Sequence, residues 1–199
     1  MLILNDAYMD VNHAFLNTFL DVSEESYKQL LKLSTIRDLK AGDQVSKNGE
    51  VPTKIYLLES GTMRAYLSSK EGKEYTKSFF TSFSFVGSLT ALVQKSPSKL
   101  IYEALTACKV YELNFADFKE LCNRDLRISA LYNKVLEHIF IKYEERQLEL
   151  ISMDATARYL KLQKEMPDIE KSIPQYQIAS YLSISPVQLS RIRKKLKSN

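Results

Sequence analysis

Gln188 and Arg191 stand three residues apart near the end of this 199-residue chain, in the segment Ile178-Ala-Ser-Tyr-Leu-Ser-Ile-Ser-Pro-Val-Gln-Leu-Ser-Arg-Ile-Arg193. A guanidinium donates two parallel hydrogen bonds to guanine, and a carboxamide pairs with adenine. One helix face carrying both can therefore read base edges in a major groove. Ser185, Val187 and Ser190 lie along the same stretch, with Arg193 beside them. Lys194, Lys195 and Lys197 follow and supply charges suited to phosphate contacts. Residues Lys171 to Asn199 hold six basic side chains and no acidic one, whereas the chain as a whole has 28 Lys+Arg and 24 Asp+Glu. The first 170 residues thus carry 22 basic against 24 acidic groups, and the net positive charge is confined to the tail.

Two helices must hold these side chains. Counting from Gln175, a helix-turn-helix needs a small residue at the fifth place, where the helices cross, and Ala179 is there. It needs a turn residue at the ninth, which is Ser183, and branched apolar residues at the fifteenth and eighteenth, which are Leu189 and Ile192. Glycine is usual in that turn because the backbone takes positive φ; serine adopts this conformation at a modest cost. Ser185 can cap the second helix and Pro186 fits its first turn. The sequence places the reading helix over Pro186 to Lys197.

The five glycines fall between Gly42 and Gly87 and punctuate strand-like runs. These include Lys54 to Gly61, Thr62 to Ser68, Tyr75 to Phe80, Leu100 to Ala107 and Cys108 to Asn114. Short strands at this spacing predict an antiparallel sandwich or barrel over residues 20–120, with a helical lead-in from Ser23 to Ser34. From Phe115 to Met166 there is neither glycine nor proline. Tyr132, Leu136, Ile139, Tyr143, Arg146, Leu150 and Met153 repeat at spacings of 4, 3, 4, 3, 4 and 3, a seam of three heptads. Such a stripe must be buried, on the chain's own β domain or on a twin helix as well. Arg146 fits it if its head group reaches solvent. A further helix is expected from Asp154 to Lys164, stopped by Pro167.

Other chemistry is poorly supported. The two cysteines, Cys108 and Cys122, read as small buried hydrophobes. The two histidines, His13 and His138, form no ligand pair in sequence, so no metal, cofactor or catalytic residue is expected and an enzyme built on the roll is a weak reading. No apolar run reaches membrane-spanning length. The N-terminus lacks the form of a secretory signal, which makes cytoplasmic the expected location.

Taken together, the parts resemble the Crp–Fnr (catabolite-activator/FNR-type) family of bacterial transcription regulators. Ile55-Tyr-Leu-Leu-Glu-Ser-Gly61-Thr-Met-Arg is similar to a glycine-turn hairpin of that family, Phe85-Val-Gly-Ser-Leu89 to its glycine turn before a helix, and Ala107 to Leu113 to its last strand. Asp154-Ala-Thr-Ala-Arg158-Tyr-Leu resembles the start of the helix after the dimer helix, and Ile178 to Arg193 its helix-turn-helix. The implied fold is α+β: a cyclic-nucleotide-binding-like β-roll or jelly roll over residues 1–120, a long dimerisation helix over 121–153, and a winged helix-turn-helix over 154–199. The implied function is DNA-binding transcription regulation as a homodimer through Tyr132, Leu136, Ile139, Tyr143 and Leu150, on an inverted-repeat operator, with RNA polymerase a candidate partner. A sensor module acting through a protein partner is the alternative.

The family's nucleotide-binding members place a glutamate after the glycine and an Arg-Ser or Arg-Thr pair about ten residues on. Here those positions are Ser88 and Ser98-Lys99. The effector pocket implied by the resemblance comprises Gly87, Ser88, Leu89, Ser98, Lys99 and Tyr143. Without the arginine fork, cyclic AMP is not the expected effector. Phe79, Phe80, Phe83 and Phe85 suggest a ligand with an apolar body.

Overall fold

The structure, a computed structural model, describes residues 6–197. Two helices come first, α1 (Asp6–Asn17) and α2 (Glu24–Leu33). No expected element corresponds to α1, whereas α2 fills the expected lead-in. The Ser23 hydroxyl caps α2, accepting the Ser26 N–H at 3.2 Å.

Eight strands follow: β1 (Ser34–Leu39), β2 (Gln44–Ser46), β3 (Lys54–Ser60), β4 (Met63–Ser68), β5 (Glu74–Phe80), β6 (Ser84–Val86), β7 (Ile101–Ala104) and β8 (Cys108–Asn114). A short helix, α3 (Leu89–Gln94), separates β6 from β7. The strands pair antiparallel in two four-stranded sheets of order β1-β8-β3-β6 and β2-β7-β4-β5. Leu58, Met63, Ala104 and Val110 are wholly buried between the sheets. The tight turn from β3 to β4 needs glycine. Gly61 has φ +95°, and a Cβ there would sit 2.4 Å from the Ala107 carbonyl oxygen.

The β1-β8-β3-β6 sheet is covered on its outer face too. Ile55, Phe85 and Leu113 join a second core with Leu16, Leu30, Phe118, Ile128, Leu131 and Val135 from the helices. Burial on both faces explains why Tyr56, Leu57 and Leu58 are buried in succession rather than alternating.

After β8 come α4 (Phe115–Arg124) and the 27-residue α5 (Leu126–Ser152). Asp125 separates them, and its carboxylate accepts the N–H groups of Arg127 at 2.8 Å and Ile128 at 3.3 Å. Then follow α6 (Ala155–Glu165), α7 (Ile169–Ser172), α8 (Gln175–Tyr181) and α9 (Pro186–Lys197), around a third core of Tyr159, Leu162, Ile169, Ile178, Leu182 and Leu189. Among the described residues no strand follows β8, so a β wing beside the helix-turn-helix is not among the observed elements.

The seam on α5 does not stay on one partner. Tyr132 and Ile139 pack into the chain's own second core, and Leu136 lines the same space. Tyr143 lies under Lys77 of β5, whose ammonium is 4.4 Å from the ring centre. The open apolar stripe is a different one: Phe140, Ile141, Leu148 and Ile151, exposed by 67, 53, 57 and 79%. At about 100° per residue this stripe is turned roughly a third of a circle from the heptad seam.

Candidate functional site

The helix pair α8–α9 assembles as its local signals require. Ala179, Leu182 and Leu189 are wholly buried where the helices cross. Ser183 takes φ +58°, the left-handed conformation expected of the turn. The Ser185 hydroxyl accepts the Gln188 N–H at 3.1 Å and caps α9, with Pro186 as its first residue.

Burial of Leu189 fixes which side of α9 faces out. Ser185, Val187, Gln188, Ser190, Arg191, Lys194 and Lys195 are all exposed. Arg193 is drawn away: it is half-buried and donates to Glu170 of α7 at 2.9 Å, so it braces the domain internally. Glu170 also accepts from the Tyr159 hydroxyl.

The first helix of the pair is clasped to the roll. β5 is a sheet edge, and an edge strand offers unpaired N–H and C=O groups. The Thr76 N–H donates to Ser180 Oγ at 2.8 Å, and the Ser180 hydroxyl donates to the Glu74 carbonyl at 3.0 Å. Phe79 packs against the Tyr181 ring at 5.0 Å. Arg146 of α5, expected to reach solvent, instead lies 3.9 Å over the Tyr181 ring, donates to the Tyr181 carbonyl, and pairs with Glu149 at 2.7 Å. Burial pushes the Glu149 carboxyl up, but hydrogen bonds from Lys161 and Arg146 outweigh it and hold the group below the usual carboxylate range. These residues are far apart in sequence, and periodicity carries no trace of their meeting.

The turn at Gly87 has a different character. Ser88 and Ser98 are both buried, and their hydroxyl oxygens lie 3.0 Å apart. Ser98 Oγ is also 2.8 Å from the Leu100 carbonyl oxygen and accepts the Leu100 N–H at 3.2 Å. Tyr102 is buried beside them, its hydroxyl held neutral because burial pushes its pKa far above the ordinary value. Lys99 is exposed. Of the residues implied as an effector pocket, Gly87, Ser88, Leu89 and Ser98 cluster, Tyr143 takes a hydrogen bond from Lys77 and also interacts with Tyr102 beside that cluster, and Lys99 is at the surface. The four phenylalanines also disperse. Phe79 meets Tyr181, Phe80 stacks on Tyr102, and Phe83 and Phe85 both meet Phe15.

Among the described residues no cluster of His, Cys, Asp or Glu could hold a metal ion, and no helix is long and apolar enough to cross a membrane. Cys108 and Cys122 are buried thiols, as expected.

The roll is recognisable by its sequence. Residues 36–125 match the family described as a cyclic nucleotide-binding domain. No curated protein matches the chain by sequence. Among solved structures, FixK2 from Bradyrhizobium japonicum matches with TM-score 0.69 at 16% identity, over 83% of this chain and 85% of that one. The c-di-GMP responsive global regulator CLP from Xanthomonas campestris matches with TM-score 0.68 at 18% identity, over 88% and 92%. A protein from Eubacterium rectale, described as a transcriptional regulator of the crp/fnr family, gives 0.70 at 16%, over 93% and 88%. From the roll through the long helix to the C-terminal helices, the chain thus shares its fold with these regulators.

Proposed function

We propose that the chain is a sequence-specific, DNA-binding transcription regulator, that it acts as a homodimer, and that cyclic AMP is not its signal. The observation that carries this is the exposed face of α9. Gln188 and Arg191 stand one turn apart on it, a capped helix start carries Ser185 and Val187, and Lys194 and Lys195 flank them. A helix bearing base-reading groups near its start and cations beyond them fits a major groove.

The homodimer reading rests on α5. Phe140, Ile141, Leu148 and Ile151 leave an apolar stripe unsatisfied along the C-terminal half of the helix. A second copy of the same helix covers it and sets two copies of α9 about a twofold axis, which makes the operator an inverted repeat. This moves the interface off Tyr132, Leu136 and Ile139, which serve the chain's own core. Tyr143 and Leu150, each less than half exposed, border the new seam from the side.

The exclusion of cyclic AMP rests on the paired serines. A buried phosphate needs a paired cation and several donors, or its desolvation is uncompensated. At Ser88 and Ser98 the hydroxyls meet each other and the backbone, and the nearby cations in sequence, Lys95 and Lys99, are both exposed.

Selection from random double-stranded DNA with the purified full chain tests the reading. The expected product is an inverted repeat with half-sites about one helical turn apart. Enrichment of no motif would overturn it.

A further inference from the structure

The outer face of the β1-β8-β3-β6 sheet does not close completely against the helices. Between them lies a cavity of about 140 Å³. Leu30 of α2, Leu57, Phe85 and Leu113 of the sheet, and Leu131 and Val135 of α5 are among its walls. Ser88 and Ser98 are not, so this space is separate from the paired serines, although Gly87 touches both.

We propose that this cavity is a binding site for a small, uncharged, apolar molecule of about the size of a single aromatic ring.

Three observations support the assignment. The first is size. Protein interiors pack to crystal-like density and leave few voids larger than a water. A cavity of ~150 Å³ lined by Leu, Ile and Phe stays dry and accepts benzene. The second is chemistry. No Asp, Glu, Lys or Arg lines the space. Burial, first, pushes the hydroxyls of Tyr56 and Tyr111 up to about 12 and keeps them neutral. A charged ligand entering here would lose its water and find no counter-charge. The third is the firmness of the walls. α2 and α5 are tied together by the Ser26 hydroxyl, which donates to Asp125 at 2.6 Å, and Asp125 in turn caps α5. The sheet wall is held by antiparallel pairing of β8 with β1 and β3. Neither wall closes easily onto the gap.

The site is also placed to matter. Ile139 lines it, and Arg146, two helical turns further along α5, holds Tyr181 of the DNA-reading pair. An occupant that shifts α5 acts on that clasp. This link to DNA rests on the regulator reading above; occupancy of the cavity does not.

The test uses the full chain with isotopically labelled Leu and Val methyl groups, titrated with benzene, and with benzoate as a charged mimic. Benzene should shift the methyls of Leu131, Val135 and Leu57 saturably, and benzoate should leave them unmoved. Val135→Phe fills the cavity from the helix side and should weaken benzene binding at least tenfold. Should Val135→Phe fail to fold, Ile139→Phe, at a half-buried position on the same wall, provides the same block. Methyls that do not respond to benzene up to its solubility, or equal binding by the filled variants, would overturn the proposal. Absence of DNA binding by the full chain, with the benzene shifts intact, would sink the regulator reading and leave this site standing.

Discussion

The polar groups of the α8–α9 pair and those of the Gly87 turn are disposed in opposite ways. On α9 the side chains that could meet a ligand point outward, and the packing residues Ala179, Leu182 and Leu189 are wholly inside. At the Gly87 turn the polar side chains point inward and pair with each other, Ser88 with Ser98. The contrast teaches that a shared fold preserves packing before it preserves binding chemistry. A roll can keep its glycine turn, its strands and its long helix with no arginine fork beside the turn.

The comparison is broken most severely if the roll binds cyclic nucleotides after all. An absent arginine fork and an absent ribose-binding carboxylate each remove about 1.5–3 kcal/mol, a combined loss of roughly a hundredfold to ten-thousandfold in affinity. Calorimetry with cyclic AMP and cyclic GMP at millimolar concentration should show no saturable heat. A micromolar dissociation constant would mean that Ser88, Ser98 and the backbone of Gly87 suffice.

The two faces of α5 sharpen it next. Leu148→Asp should split the dimer and leave the melting temperature of the roll unchanged. Ile139→Asp should instead unsettle the second core, because a charge at this half-buried position loses water and gains no partner. Light scattering and circular dichroism on the two variants separate these outcomes. A dimeric Leu148→Asp protein contradicts the assignment of the outer stripe.

The clasp yields a smaller effect. Ser180→Ala removes both hydrogen bonds to the edge of β5, worth about 1–2 kcal/mol together. The Thr76 amide should exchange with solvent faster in this variant, and amides in the β1-β8-β3-β6 sheet should not change. An unchanged Thr76 amide would show that the clasp carries no load.

The smallest effect is at Asp125. The Ser26 hydroxyl, first, and then the backbone N–H groups of α5 hold its carboxyl below the usual range. A depressed folded-state value stabilises the protein above the unfolded aspartate value of about 3.9, and the stabilisation is lost as pH falls through the folded value. Ser26→Ala should therefore cost about 0.5–1.5 kcal/mol at pH 7. The gap between variant and unmodified protein should narrow below pH ~4. Denaturant melts across that range measure it; a gap that widens toward acid would contradict the pairing.

How much of this was legible beforehand depended on how local each signal was. The helix-turn-helix could be read because its determinants lie within one segment: Ala179, Ser183, the Ser185-Pro186 start, Leu189 and Ile192. The positive φ of Ser183 follows from position alone. The strands of the roll were legible from their glycine turns, and β8 matches its expected span. The break at Asp125 was missed because residues 115–166 contain no glycine or proline, and a capping aspartate inside a helical stretch is a weak stop signal. For the α5 stripe the sequence left two partners open, the chain's own β domain or a twin helix as well. Two apolar stripes run along the helix, and a heptad count alone cannot say which one the chain keeps for itself. Arg146 on Tyr181 and Ser180 on β5 join residues 35 and 104 positions apart, which no local pattern records.

The central claim is that α9 reads DNA, and fluorescence anisotropy on a selected duplex and a scrambled one tests it most directly. Affinity for the selected duplex should be higher and should fall steeply with salt, as phosphate contacts require. Arg191→Ala should cost about 1–3 kcal/mol on the selected duplex and erase preference at one base pair, whereas Lys194→Ala should weaken both duplexes alike and flatten the salt dependence. Affinities that are equal for the two duplexes and untouched by both substitutions would contradict the account.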